Sequence, residues 1–329
     1  MTQAPAPPGV DLPRLRAYLD SAGPLRAELI AGGRSNLTYV VTDGTSEWVL
    51  RRPPLGHVLA TAHDMAREHR VLTALADTPV PVPETYVLCP DSDVLGAPFY
   101  LMEKVDGTVY RTALQTERLG AERATAIAHE LIDVLAALHG VDPGAAGLGD
   151  FGRPAGFLNR QVRRWQRQLA ASRSREIAGI DALSQALARS IPATQRPTIV
   201  HGDYKLDNVI VGADDSIAAV VDWEMATLGD PLCDLGLFNV YWDGGIAEIP
   251  TGDAGFPSGV ELRARYAVAT GLDLSPLPWY EALGCFKLAV ISEGIHYRFL
   301  RGQTVGEGFA EIGDMVAPLV ATGLERLAS

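Results

Sequence analysis

His201-Gly202-Asp203-Tyr204-Lys205-Leu206-Asp207-Asn208 is the stretch on which the reading of this chain turns. Fourteen residues past Asn208, beyond a segment that reads as a β-hairpin, Asp222 stands in Val220-Val221-Asp222-Trp223-Glu224. Moving a phosphoryl group onto a hydroxyl calls for a carboxylate beside the attacking oxygen and for hard oxygen ligands to Mg²⁺. Asp203 supplies the carboxylate. Asn208 and Asp222 supply the metal ligands, and Lys205 adds a cation for the transferring phosphate. A lone Asp or Asn in a turn is ordinarily a turn residue and nothing more. The weight lies in the spacing of the whole set. His201 on its own reads as a ring that packs and hydrogen-bonds locally.

Around this stretch the elements fall into two kinds. Ile199–Val200, Val209–Val211 and Ala218–Asp222 read as one compact β segment, with Gly212-Ala213-Asp214-Asp215-Ser216 as its turn. Apolar periodicity predicts helices over 117–139, 157–172, 179–190, 259–270 and 278–300. Upstream, a short helix over 11–20 precedes β-type runs at 39–42 and 48–50, joined through Asp43-Gly44. A helix over 61–76 ends at Pro79, Pro81 and Pro83, and strands follow near 85–88 and 98–103. The chain is therefore expected to be α+β. A small β-rich lobe spans 1–104, with 1–10 a loose Pro/Ala tail, and a larger helical lobe spans 105–329.

The spacing of Asp203, Asn208 and Asp222 matches the catalytic loop H-R-D-x-x-x-x-N and the later metal-binding Asp of protein kinases. In its H-G-D-x-x-x-x-N form the loop resembles that of the aminoglycoside phosphotransferase and choline kinase-like family. That resemblance implies a two-lobed protein-kinase-like fold with ATP between the lobes. It implies Asp203 as catalytic base, and Asn208 and Asp222 on Mg²⁺. It also implies Asp230 and Asp234, in Gly229-Asp230-Pro231-Leu232-Cys233-Asp234, as braces of the loop.

The first lobe carries matching signals. Gly32-Gly33-Arg34-Ser35-Asn36 lies between two predicted strands, where glycines admit backbone N–H groups to phosphates and Ser35 and Asn36 add donors. Arg51 ends Trp48-Val49-Leu50-Arg51 where kinases end Val-Ala-Ile-Lys, and Glu68 in the next helix is placed to pair with it. Arg52 is adjacent, so strand register decides which arginine faces the nucleotide; motif alignment favours Arg51. Arginine in place of lysine also leaves open a nucleotide-binding pseudokinase module. Phe99 to Gly107 resembles the hinge between kinase lobes, with Met102 lining the adenine pocket and the backbone from Glu103 to Val105 receiving the base.

For the acceptor, residues 160–175 hold six arginines and no acid. Arg160, Arg164 and Arg167 share a helical face near Phe157 and Trp165, reading either as a solvated face or as a cationic wall beside the acceptor. Phe157-Leu158-Asn159-Arg160-Gln161-Val162-Arg163-Arg164-Trp165, with Phe286-Lys287 and Gly294-Ile295-His296-Tyr297-Arg298, resembles the branch of kinase-like domains associated with or fused to acyl-CoA dehydrogenases. That likeness implies a small-molecule hydroxyl acceptor of hydroxyacyl-CoA type; an aminoglycoside or a choline-like amine is the alternative. A net charge of −12 argues against nucleic acid. No apolar run is long enough to span a membrane, and three scattered cysteines suit a reducing cytoplasm. A monomer or homodimer is expected. A metal-dependent hydrolase built on His201, Asp203 and Asp222 is disfavoured, because no second histidine lies nearby at ligand spacing.

Overall fold

The structure is a computed structural model. It describes residues 7–30, 36–55, 63–243, 255–303, 309 and 311–329. In chain order the elements are α1 (Leu12–Tyr18), β1 (Arg26–Leu29), β2 (Leu37–Thr42), β3 (Glu47–Arg52), α2 (Met65–Leu75), β4 (Thr85–Cys89), α3 (Ser92–Leu95) and β5 (Phe99–Glu103). Then follow α4 (Ala113–Thr116), α5 (Ala121–Gly140), α6 (Phe157–Ser172), α7 (Ile180–Arg189), β6 (Thr198–Val200), β7 (Val209–Val211), β8 (Ile217–Val220) and β9 (Thr227–Gly229). The chain finishes with α8 (Leu232–Asp243), α9 (Gly259–Thr270), α10 (Leu277–Leu300) and α11 (Val316–Ala328). They form two compact units. The first comprises residues up to Thr108 together with 209–213 and 217–226, and the second comprises the remainder.

The first unit is built on an antiparallel sheet of order β1-β2-β3-β5-β4. Strand alternation sorts its side chains onto two faces. Tyr39, Leu50 and Leu101 lie in register and bury one face under α1, with Val41, Phe99 and Cys89 around them. The other face carries Val49 opposite Met102 and Arg51 opposite Tyr100. Here α2 packs across β4 and β5, burying Met65, Glu68, Val71, Leu72 and Leu75. Asp64 starts this helix by accepting from the Arg67 N–H at 3.0 Å, so α2 begins later than the expected residue 61, and 61–62 lie outside the described residues.

The β7–β8 hairpin belongs to the first unit, stitched on by reciprocal backbone bonds between Thr108 and Val211 at 2.8 and 2.9 Å. Gly107 (φ +153°) makes that approach feasible, since a Cβ there would fall 2.5 Å from the Val211 carbonyl. The expected single β segment is in fact two. β6 pairs with β9, in the second unit, and not with the hairpin.

The second unit is helical. α6 places Phe157, Leu158, Val162, Trp165 and Leu169 on its buried stripe and its arginines outside. α8 and α10 are buried nearly all round, and they pack so closely that a Cβ on Gly236 would lie 2.7 Å from the Tyr280 main chain. Among the described residues no helix is long and apolar enough to cross a membrane.

Candidate active site

In the second unit β6 delivers the His201–Asn208 loop. Asp234, the third residue of α8, accepts from the His201 and Gly202 N–H groups at 2.7 and 2.8 Å and from His139 Nε2 at 3.3 Å. It is 1% exposed. Burial alone would raise its pKa, but these donors and the two histidines outweigh that and hold it below the usual carboxylate range. Asp230 accepts from the Leu232 N–H at 3.0 Å and from Tyr280 Oη at 2.8 Å, and burial pushes it up. Gly202 (φ +86°) turns the chain so that its carbonyl accepts from Lys287 Nζ of α10 at 2.6 Å. His201 is fully buried; its Nδ1 accepts from the Asp203 N–H at 3.2 Å and its ring meets Tyr204 edge-on, the local packing role expected of it.

Asp203 and Asn208 are locked together. Asn208 Nδ2 donates to the Asp203 carbonyl at 2.8 Å and to Oδ2 at 3.2 Å, so its amide NH₂ is spent on that residue. Lys205 Nζ lies 3.4 Å from Asp203 Oδ2 and 3.3 Å from Asp207 Oδ2. Burial opposes the charged form of Asp203, but Lys287, Lys205, His201 and the Tyr241 hydroxyl overcome it and keep its pKa low. Asp207 is raised by burial, and its Oδ1 is buried without a hydrogen-bond partner. Lys287 is buried and its pKa lowered by desolvation.

In the first unit Arg51 takes the position favoured by the motif. Its Nε lies 2.7 Å from Glu68 Oε2, an ion contact without hydrogen-bond alignment, and its Nη2 donates to Asp222 Oδ1. Glu68 is 2% exposed and also accepts from Tyr100 Oη at 3.1 Å. Burial pushes its carboxyl up against the pull of Arg51. The surrounding carboxylates more than offset the desolvation of the guanidinium, so Arg51 stays a cation. Arg52 points to the opposite face, donating to the carbonyls of Gly9, Pro53 (3.2 Å) and Leu95 (2.8 Å). Asp222 follows β8 in a left-handed conformation (φ 67°, ψ 55°) that turns its side chain toward Arg51.

Two groups expected at the nucleotide have partners within the first unit. Asn36 is 3% exposed and its Nδ2 is spent on Glu68 (2.8 Å) and Glu224 (3.1 Å), while Oδ1 meets His63 Nδ1 at 2.7 Å. Its side-chain NH₂ is thus engaged by the Glu68 and Glu224 carboxylates. The Glu103 N–H is taken by the Glu84 carbonyl at 2.8 Å, so of the hinge backbone that residue offers no N–H to an adenine. Met102 is buried beside Val49, and Val105 is half-buried. Gly32, Gly33, Arg34 and Ser35 lie outside the described residues.

Three participants were not anticipated: Tyr241, which donates to Asp203, Lys287 under the loop, and Glu224 beside Asn36. Lys287 had a signal, being a lone cation in the apolar run of α10. The α6 arginines are exposed. Arg160 donates to the Arg153 and Ala155 carbonyls, and an open groove is lined by Arg160, Arg163, Gln166, Arg167 and Ala170. Trp165, from the buried stripe of α6, has its ring 5.9 Å from Lys287 Nζ.

A model of the phosphotransferase enzyme family matches residues 26–274. The chain belongs to that family. It is 35% identical over 318 residues to acyl-CoA dehydrogenase family member 11 of Gallus gallus, covering 92% of this chain and 40% of that protein. The chain thus spans about 40% of the length of the curated relatives it matches. Among solved structures, a protein of Ralstonia eutropha JMP134, provisionally assigned as an aminoglycoside phosphotransferase, superposes with a TM-score of 0.84 at 33% identity over 97% of this chain and 98% of that one. Aminoglycoside phosphotransferase APH(4)-Ia, in ternary complex with ADP and hygromycin B, gives 0.63 at 15% identity over 96% and 97%, a likeness of fold. The chain is therefore a member of a family of phosphotransferase enzymes, with a kinase-like fold.

Proposed function

We infer that this phosphotransferase uses Mg·ATP to phosphorylate the hydroxyl of a hydroxyacyl-CoA-type acceptor. The observation that carries the reading is the Asp203 carboxylate, kept ionised in a buried loop by Lys205, Lys287 and hydrogen-bond donors. A carboxylate held in that state is a proton acceptor for an alcohol. As the acceptor oxygen bonds to the γ-phosphorus, its proton passes to Asp203. The bond to the β–γ bridging oxygen breaks, and ADP leaves with that electron pair. Lys205 accompanies the transferring phosphoryl group, and Arg51 bridges Glu68 and the nucleotide phosphates.

The residues present suit Mg²⁺. The described residues hold no cluster of three His, Cys, Asp or Glu able to bind an ion. Magnesium needs none, because it takes one or two protein oxygens and fills its shell with phosphate and water. Asn208 Oδ1 and the Asp222 carboxylate are hard oxygens of that kind. Bound there, the ion would neutralise charge on the β- and γ-phosphates.

The acceptor class is supported by charge. Lys205 lies beside Asp203, and the exposed face of α6 is cationic, which favours an anionic CoA ester over a polycationic aminoglycoside or a choline-like amine. The match to acyl-CoA dehydrogenase family proteins points the same way. A second reading, a nucleotide-binding module without turnover, draws on the Arg51–Asp222 contact, which occupies one metal-ligand oxygen with a guanidinium. ADP release with Mg·ATP across hydroxyacyl-CoAs, aminoglycosides and choline-like amines tests both. The reading expects release with hydroxyacyl-CoAs. Release with aminoglycosides alone would displace the acceptor assignment, and nucleotide binding with no release across the panel would favour the module.

A further inference from the structure

α8 ends beside the catalytic loop with Tyr241, given above only as one of the groups that keep Asp203 ionised. Its hydroxyl donates to Asp203 Oδ1 at 3.1 Å, and Lys205 Nζ sits 5.0 Å from its ring centroid. Burial, with the neighbouring carboxylates, raises the phenol far above its ordinary range, so it remains a donor. An ionised carboxylate offers about four lone-pair sites. On the Oδ2 side, Asn208 Nδ2 stands at 3.2 Å and Lys205 Nζ at 3.4 Å. On the Oδ1 side, among the described residues, Tyr241 is the one donor. One acceptor site of Asp203 is left, and it lies on Oδ1 next to a phenol.

We propose that Tyr241 is the positioning residue for the proton-accepting carboxylate, and that the acceptor hydroxyl donates into the remaining lone pair of Oδ1. The inference rests on the reading of Asp203 as proton acceptor. Tyr241 on one oxygen and Asn208 on the other fix the carboxylate plane. The acceptor's proton moves to Oδ1 as its oxygen bonds to the γ-phosphorus, and the phenol keeps its own proton throughout.

The test compares Tyr241→Phe with site-specific 3-fluorotyrosine at 241, which keeps the ring and the O–H. Transfer from Mg·ATP is followed with 3-hydroxybutyryl-CoA as probe acceptor and, separately, with water as ATP hydrolysis. Losing a hydrogen bond to a charged group should lower kcat about 10- to 100-fold in the Phe variant while the KM for ATP stays within about twofold. The fluorinated residue should restore kcat to within about threefold of wild type, since its donor is retained. Unaltered kcat in Tyr241→Phe overturns the proposal. So does a fall that 3-fluorotyrosine does not restore, or one matched by an equal loss of ATP affinity, since either marks a packing role. Asp203→Asn in the same assay separates the two readings. Turnover there means that the assignment of Asp203 has failed. A dead Asp203→Asn beside a fully active Tyr241→Phe means that only the role of Tyr241 has failed.

Discussion

Replacing Asp234 by Asn removes the brace of the catalytic loop while preserving its shape. The carboxylate accepts from two backbone N–H groups at 2.7 and 2.8 Å and from His139, at 1% exposure. Asparagine has one oxygen. It keeps one of the backbone donors and turns an NH₂ group toward the other, leaving a buried N–H without a partner. A hydrogen bond to a charged group contributes ~1.5–3 kcal/mol and an orphaned buried donor costs ~1–3 kcal/mol, overlapping quantities that together give about 3 kcal/mol. At an m-value of ~3 kcal/mol/M this lowers the urea midpoint by about 1 M. The pH dependence carries a sign of its own. Asp234 has a lowered pKa in the fold, so its contribution is complete above the ordinary carboxylate value and is lost as pH falls through the folded value. Urea unfolding of both proteins, from pH 7 down to about 3, should therefore show a midpoint gap that is constant above roughly pH 4 and closes below it. A gap worth less than about 1 kcal/mol at pH 7, or one that widens on acidification, would refute this reasoning.

Two more substitutions probe different links. Gly236→Ala puts a methyl 2.7 Å from the Tyr280 main chain, where no side chain can give way, so α8 and α10 must separate. That should cost about 3 kcal/mol and lower Tm by roughly 5–10 °C, with an unchanged Tm counting against the packing described. Asp222→Ala removes a proposed metal oxygen and the Arg51 partner; calorimetry should show Mg·ATP affinity reduced at least about tenfold, and equal affinity would speak against ligation there.

Much of each unit's local arrangement is legible in the sequence because its signals are local. Asp203, Asn208 and Asp222 sit at spacings fixed by one loop and one hairpin, and strand alternation separated Arg51 from Arg52, the first meeting Glu68 and the second tying Gly9 and Leu95. Residues brought in from afar were not legible. Tyr241 reaches Asp203 from 38 residues away, and Lys287 reaches Gly202 from 85. α8 is apolar on every side, so it lacks the periodicity that would have marked Leu232–Asp243 as a helix. β9 has three residues, too few to announce itself, which is why β6 was grouped with the wrong hairpin. The Gly32-Gly33-Arg34-Ser35 motif suggests a phosphate donor at Asn36, but burial beside Glu68 decides what its side-chain amide does.

The most direct measurement is multiple-turnover phosphorylation by Asp203→Ala, paired with calorimetry of Mg·ATP binding to the same protein. The account expects product formation to fall by about 10²–10⁴-fold or more, with nucleotide affinity preserved. Product accumulating at the wild-type rate would contradict it.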